Sequence, residues 1–423
     1  MKKTLIALAA IAAVSSAMAD VTISGYFDRA LIAKNSTDGT ASTNTIASGA
    51  GTTGLFFKGN EKLSSDLSGI FQIETDFLDL AGASQTATQN YANQNAGFAN
   101  GELFIGLQSA GMGTLKLGAP NLFMLGAVTS VGAPAFGTGI GSTFSASGFQ
   151  IFNGLSTGAG TSTNTSGIVT ISTTPTSTTA NYGARDIRIS NSVQLQSSDF
   201  GGLKFGLTFA PQNNNVPQAA SSAGVTANTG LGNTVGVTEY NLRYTNAASG
   251  IDAAYDLIKY TVGSNGAETL IAGVNKAIPV TGTGAGNPLV NVVPTTIQSL
   301  TPNSTSTHSF VGATYTYNPS IKLHGGYGTS QSGDNVYQTR STQLGATYTM
   351  GMWDLMAQSA QVTDAGNATY TANRSITGLG ANYNFSKMTR AYVRYETVNY
   401  ATNQTAFNGS VVTRTAVGMS TSF

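Results

Sequence analysis

The end of the chain changes sides at every step. Val411, Thr413, Thr415, Val417, Met419, Thr421 and Phe423 share one phase, while Val412, Arg414, Ala416, Gly418, Ser420 and Ser422 share the other. A period of two puts successive side chains on opposite faces of an extended strand, so this segment predicts a strand with one greasy and one wet side. The pattern recurs. Leu203, Phe205, Leu207 and Phe209 alternate with Lys204, Gly206 and Thr208, and Arg390, Tyr392, Arg394 and Glu396 alternate with Ala391, Val393, Tyr395 and Thr397. Ile187, Ile189, Val193 and Leu195 face away from Arg188, Gln194 and Gln196. Charges gather on one face.

Such strands could build a soluble sandwich or a barrel in lipid, and composition bears on the choice. Only 9% of the 423 residues are charged, against about 25% in an ordinary soluble protein. Yet mean hydropathy is +0.00, because Ser, Thr, Asn and Gln stand where Lys and Glu usually do. No stretch after the N-terminus reaches the ~18 consecutive apolar residues of a membrane helix. A lipid-spanning barrel needs only strands of ~10 residues with every second side chain apolar. The polar phase is mostly Gly, Ser, Thr and Gln, and Tyr244, Tyr255, Tyr315, Tyr317, Tyr348, Tyr383 and Tyr395 fall on the apolar phase near strand ends. Amphipathic rings at that place suit the two levels where bilayer meets water. The net charge of +1 leaves no electrostatic footprint for nucleic acid.

The first nineteen residues read as an export signal: Lys2 and Lys3, an apolar run from Leu5 to Val14, then Ala17-Met18-Ala19 as a small-x-small cleavage site. The domain reading is therefore a signal peptide over 1–19 and one barrel over 20–423. The absence of cysteine suits an oxidising compartment.

Connections alternate between short and long. Short ones fall near Glu61–Leu67, Ser109–Gly113, Ser197–Gly202, Thr245–Gly250, Asn318–Ser320, Thr349–Met352 and Asn384–Met388. Long ones fall near Ala33–Thr53, Asp79–Asn100, Ala119–Ala184, Pro211–Val235, Thr261–Ser306, Gln331–Thr339, Asp364–Arg374 and Tyr400–Ser410. Seven short and eight long connections join sixteen strands, with both chain ends on the short-turn side. Glu268–Ile278 is assigned to the fifth long loop to keep the parity even. The expected fold is an all-β, 16-stranded antiparallel transmembrane β-barrel. A barrel of that size is too wide for side chains to fill. The third and longest loop, 119–184, is the candidate to fold inward and narrow it.

Particular blocks carry a family resemblance. They are Gly25-Tyr26-Phe27-Asp28, Phe57-Lys58-Gly59-Asn60-Glu61-Lys62-Leu63, Ile70-Phe71-Gln72-Ile73-Glu74, Phe104-Ile105-Gly106-Leu107 and Gly113-Thr114-Leu115-Lys116-Leu117-Gly118. Arg188-Ile189-Ser190-Asn191-Ser192-Val193, Asp199-Phe200-Gly201-Gly202, Phe385-Ser386-Lys387 and the closing Phe423 complete the set. Spread over the whole mature chain, they resemble the general diffusion porins of Gram-negative bacteria, of the beta-proteobacterial and neisserial type. The resemblance implies an outer-membrane channel for passive diffusion of small hydrophilic solutes and ions, assembled as a homotrimer among outer-membrane lipid and lipopolysaccharide. It also implies that Phe423 is a signal read by the outer-membrane assembly machinery. Such porins set wall arginines opposite acidic residues of the third loop. Here Gly54, Gly101 and Ala119 stand at the usual arginine positions and Arg188 is the one retained, while no charge occurs between Lys116 and Arg185.

On the lumen phase lie Asp28, Lys58, Glu74, Asp76, Lys116, Arg188, Lys204, Glu239, Arg243, Lys322, Arg390, Arg394, Glu396 and Arg414. The expected pore-lining set is Arg188, Arg390, Arg394, Arg414, Lys58, Lys116, Glu74, Asp28 and Glu396. The four arginines lead it because they stay charged at any relevant pH. An arginine wall facing a neutral loop predicts weak anion preference.

Catalytic readings find little support. His308 and His324 are far apart in sequence, and in His308-Ser309 the two side chains point to opposite faces. No His/Cys cluster has metal-ligand spacing, and Gly137-Thr138-Gly139-Ile140-Gly141 lacks the lysine of a phosphate loop, so neither cofactor nor metal is expected. Two rivals stand beside the general channel. A substrate-specific channel would need a lumen ladder of aromatics, of which this phase holds Tyr26, Phe56 and Tyr392. An adhesin or β-solenoid would need a fixed internal period, which is absent.

Overall fold

The alternation at the C-terminus marks the outer and inner faces of the last strand of a closed barrel. The computed structural model describes residues 20–37, 43–77, 99, 101–142, 161–163, 169–171, 188, 189, 191–211, 235–262, 305–331, 338–364, 373–400 and 411–423. The expected export signal, the segment 268–278 and most of the third loop beyond Ser142 lie outside these residues.

The strands are β1 (Asp20–Ser36), β2 in two pieces (Thr43–Ala47 and Gly54–Lys62), β3 (Leu67–Asp76), β4 (Leu103–Ser109), β5 (Gly113–Ala119), β6 (Ser192–Ser197), β7 (Leu203–Ala210) and β8 (Val235–Asn246). There follow β9 (Ile251–Val262), β10 (Thr305–Asn318), β11 (Ile321–Gln331), β12 (Gln338–Met350), β13 (Trp353–Asp364), β14 (Arg374–Asn384), β15 (Thr389–Tyr400) and β16 (Val411–Ser422). Each pairs antiparallel with its neighbours in sequence, and β1 closes the cylinder on β16 in a register from Tyr26↔Ser422 to Ser36↔Val412. The sixteen-stranded barrel matches the expectation. The final residue seals the seam: the Phe423 N–H donates to the Gly25 carbonyl at 3.1 Å, and the Gly25 N–H donates to the Phe423 carbonyl at 3.0 Å.

The outer surface is apolar and exposed, with Ile105 65% and Leu344 72% accessible, as lipid contact requires. Near the short turns Trp353, Tyr383 and Phe385 stack edge to face, with ring centroids 4.9 and 5.1 Å apart. The turns are built by local chemistry. After β6 the Asp199 carboxylate accepts the Gly202 N–H at 2.6 Å, and Gly201 and Gly202 take φ of +68° and +93°, open to glycine without steric cost.

Two local expectations are corrected. Nine of the sixteen described residues of the first long loop, placed at Ala33–Thr53, are strand. The β1 strand runs on to Ser36 and pairs with Thr43–Ala47, leaving a six-residue bulge, Ser48–Thr53, opposite Phe27, Asp28 and Arg29. Ile189 was expected outward with Val193 and Leu195, but it is buried. Between them Asn191 adopts φ +55°, a left-handed conformation that breaks the alternation, and β6 begins only at Ser192.

Candidate functional site

The described part of the third loop lies inside the barrel. After β5 the chain turns at Asn121 into a short helix, α1 (Phe123–Gly126), then a π-helical turn (Ala127–Gly132), and then a run of turns to Ser142. The reason is written in its side chains. Leu122, Met124, Val128 and Val131 form an apolar stripe, and they bury it against Val237 on β8, Ala254 and Ile258 on β9, and Phe310 on β10. Burial of this kind stabilises by about 25 cal/mol per Å² of apolar surface removed from water.

Close approach needs small wall residues. A side chain at Gly378 on β14 would come within 2.1 Å of the Gly141 carbonyl oxygen, so backbone lies on backbone there.

Polar anchors complete the docking. Glu239 on β8 accepts the Met124 N–H at 2.9 Å and the Thr208 hydroxyl at 2.5 Å. Thr314 on β10 donates to the Val131 carbonyl at 2.6 Å, and His324 Nδ1 on β11 lies 3.0 Å from the Gly132 carbonyl. Glu396 on β15 accepts the Gly141 N–H at 2.9 Å and is paired with Arg414 at 2.5 Å. Further along, the Ile140 N–H donates to the Gly49 carbonyl at 2.8 Å. The loop therefore crosses the bore from β5 to the bulge in β2.

The charges expected to line the bore fall into distinct groups. Arg188 lies 3.1 Å from Asp76 and 3.8 Å from Glu74, and it donates to the Asn121 side chain at 3.3 Å. Lys116 pairs with Glu102 at 3.3 Å and sits over the Phe104 ring. Arg390 donates to the Ser420 hydroxyl at 3.1 Å and the Tyr26 hydroxyl at 3.2 Å, and Lys58 is exposed above the Phe56 ring. Arg243 is paired with Asp252 at 2.6 Å, and Lys204 lies 4.0 Å from Asp199.

Three members of the expected set are sealed from the open bore. Arg394 is 2% exposed, its guanidinium covered by the Phe136 ring at 5.6 Å and the Tyr392 ring at 5.2 Å. Glu396 and Asp28 are likewise buried, because each has become an acceptor for folded-in backbone. All three do point inward, as the phase requires. Alternation assigns a face, but whether another segment covers that face depends on residues far away in sequence.

Glu102 was missed by the sequence reading. Its carboxylate also accepts the Asn121 N–H at 3.0 Å, at the point where the loop leaves the wall. A signal existed: in a chain this poor in charge, an acidic residue just before a strand needs a partner.

A model of the Gram-negative porin family matches residues 5–403. The chain belongs to that family. This porin is an outer-membrane β-barrel and a diffusion channel. It is similar in fold to an anion-selective porin from Comamonas acidovorans, at 18% identity over 96% of this chain and 100% of that one, with a TM-score of 0.62. It is similar also to OmpF of Salmonella typhi in complex with daunomycin, at 17% identity over 96% and 100% of the two chains and a TM-score of 0.55. A loop L8 deletion mutant of OmpT, an outer membrane protein of Vibrio cholerae, gives 13% identity, 96% and 99% coverage and a TM-score of 0.55. At these identities the likeness is one of fold. A search of curated proteins found no match to the porin.

Proposed function

We propose that this porin passes small hydrophilic solutes and ions with a weak preference for anions, and that it works as a homotrimer. The observation that carries the preference is the balance of charge on the inner wall. The carboxylates of Glu102, Asp252 and Glu396 are each matched by a cation, Glu74 and Asp76 share the Arg188 guanidinium, and Asp354 is held by the neutral donors Thr349, Asn382 and Asn384. Asp28 and Glu239 are buried under hydrogen-bonded backbone. Among the described residues Arg390, Lys58 and Lys322 have no carboxylate partner, and the sequence of the third loop, 119–184, carries no charge. A wall with surplus positive charge and no opposing acidic row selects by sign, but modestly. Reversal potentials across a planar bilayer under a salt gradient test this; clear cation selectivity refutes it.

The trimer reading is supported by an asymmetry of the outer face. Tyr240, Tyr255, Tyr315, Tyr348, Trp353, Tyr383 and Tyr395 lie on β8 to β15, whereas β16 and β1 to β7 hold no outward Tyr or Trp among the described residues. Rings of this type anchor a surface at the bilayer–water boundary, and an apolar face without them suits contact with another subunit. Three equal conductance steps in single-channel recordings support the assembly. Segment 1–19 is the export signal and 119–184 the constriction loop in this reading, and Phe423 the assembly signal.

The passive reading also agrees with the histidines. His308 and His324 are both buried, and His308 Nδ1 meets the Ser330 hydroxyl at 3.4 Å on the inner wall, out of reach of a solute. A substrate-specific channel would show block of its current by its sugar or other solute; a general channel would not.

A further inference from the structure

The bulge in β2 is held from both sides. On the lumen side Asp28 Oδ2 accepts the N–H groups of three successive residues, Gly49 at 2.9 Å, Ala50 at 2.7 Å and Gly51 at 3.0 Å. The other oxygen of the carboxylate accepts the Tyr392 hydroxyl. From the outer phase of β1 the Arg29 guanidinium donates to Thr53 Oγ1 at 3.0 Å and to the Asp28 carbonyl at 2.7 Å. The Thr53 hydroxyl in turn accepts the Asp28 N–H at 3.0 Å.

The bulge so held is where the third loop rests at Gly139 and Ile140. Ile140 donates its N–H to the Gly49 carbonyl at 2.8 Å. Its side chain is buried in one cluster with Ala30, Ile32, Ala50, Tyr392 and Ala416. A side chain at Gly139 would come within 2.5 Å of the Ala50 carbonyl oxygen, so the seat fits only a residue without a Cβ at that point. On β8, β10 and β15 the described part of the loop meets regular strand; here it meets a bulge that Asp28 holds through three backbone N–H groups.

We propose that Asp28 is the positioning residue that sets the width of the constriction, by shaping Ser48–Thr53 into the seat that captures Gly139 and Ile140. The role is distinct from lining the pore, since Asp28 is 0% exposed and meets no solute. The proposal rests on the channel reading above. Replacing the carboxylate by an amide leaves only an uncharged, weaker acceptor for the three bulge N–H groups and puts an NH2 group where an oxygen accepted the Tyr392 hydroxyl, and the seat loosens while the sixteen strands stay paired.

The test uses the full-length porin refolded and recorded as single channels. Asp28→Asn is expected to raise the population of loop-released states about tenfold, the effect of one lost charged acceptor. That change reads as higher open-channel noise and a larger polymer exclusion limit, with strand content unchanged. The chain has no cysteine, so Ala50→Cys with Ile140→Cys can be added cleanly. Oxidising that pair in the Asp28→Asn background should restore the parental noise and exclusion limit, and reduction should remove the rescue. A merely structural role for Asp28 would show no such rescue. If Asp28→Asn yields no folded barrel, Tyr392→Phe, which keeps the ring and removes one partner of the carboxylate, must show the same change in smaller degree. Parental noise and exclusion limit in whichever of the two folds, or a formed disulfide that restores nothing, overturns the proposal. A parent protein without conductance removes the channel reading itself.

Discussion

The Arg188 guanidinium sits 3.1 Å from the Asp76 carboxylate, and the Glu74 carboxylate flanks it at 3.8 Å. This wall arginine is therefore outnumbered by its acidic neighbours. Arg188→Ala should shift the reversal potential toward cations, because it leaves two carboxylates on the wall without a cation. An unchanged reversal potential would show that this cluster does not face the ion path.

Arg390 behaves differently: among the described residues its partners are the neutral Ser420 and Tyr26. Arg390→Gln should weaken the anion preference at low salt, leaving the share carried by Lys58 and Lys322. The difference from the parent should shrink above ~0.15 M, where screening shortens the reach of exposed charge to about 8 Å. Reversal potentials at two salt levels check both statements.

Glu396 joins loop to wall through the Gly141 N–H and the Arg414 guanidinium. Glu396→Ala leaves both without their acceptor and should cost about 1–3 kcal/mol of barrel stability. Glu396→Gln keeps an acceptor for Gly141 but frees Arg414 from its counter-charge, so it should raise the anion preference. Urea unfolding and reversal potentials separate the two variants.

At Gly378 the loop and wall touch through backbone. Gly378→Ala should displace the loop around Gly141 and change the polymer exclusion limit, at an overpacking cost of about 1–3 kcal/mol. Gly351, in a short turn with nothing near its missing side chain, gives the contrast: Gly351→Ala strains the turn and should leave the exclusion limit alone.

On the lipid face, Leu344→Arg puts a charge on an outer wall that is 72% exposed. Arginine near the bilayer midplane costs about 2–4 kcal/mol, and chemical unfolding from lipid should show a loss of that size. A loss near zero would place Leu344 outside the hydrocarbon.

Much of this architecture was legible in the residues. Alternation assigned Thr208, Ala416 and Ser420 inward and Phe205, Val417 and Met419 outward, and their accessibilities follow it. The strand count followed from connection lengths. The misplaced residues lie where backbone departs from regular strand. At Asn191 a left-handed residue turns Ile189 inward, and at Ser48–Thr53 a bulge interrupts β2, and neither leaves a mark in a pattern of period two.

The order of side chains along each strand determines by itself which face meets lipid, because a strand's geometry is local and repeats every second residue. It cannot say which inward charges meet water. Arg394 and Arg390 are four residues apart on the same face of β15, and only the arrival of Phe136, from more than two hundred residues upstream, covers one and leaves the other partly open. Coverage of the wall is a contact between distant segments, so it exists only once the barrel has closed and the third loop has folded into it.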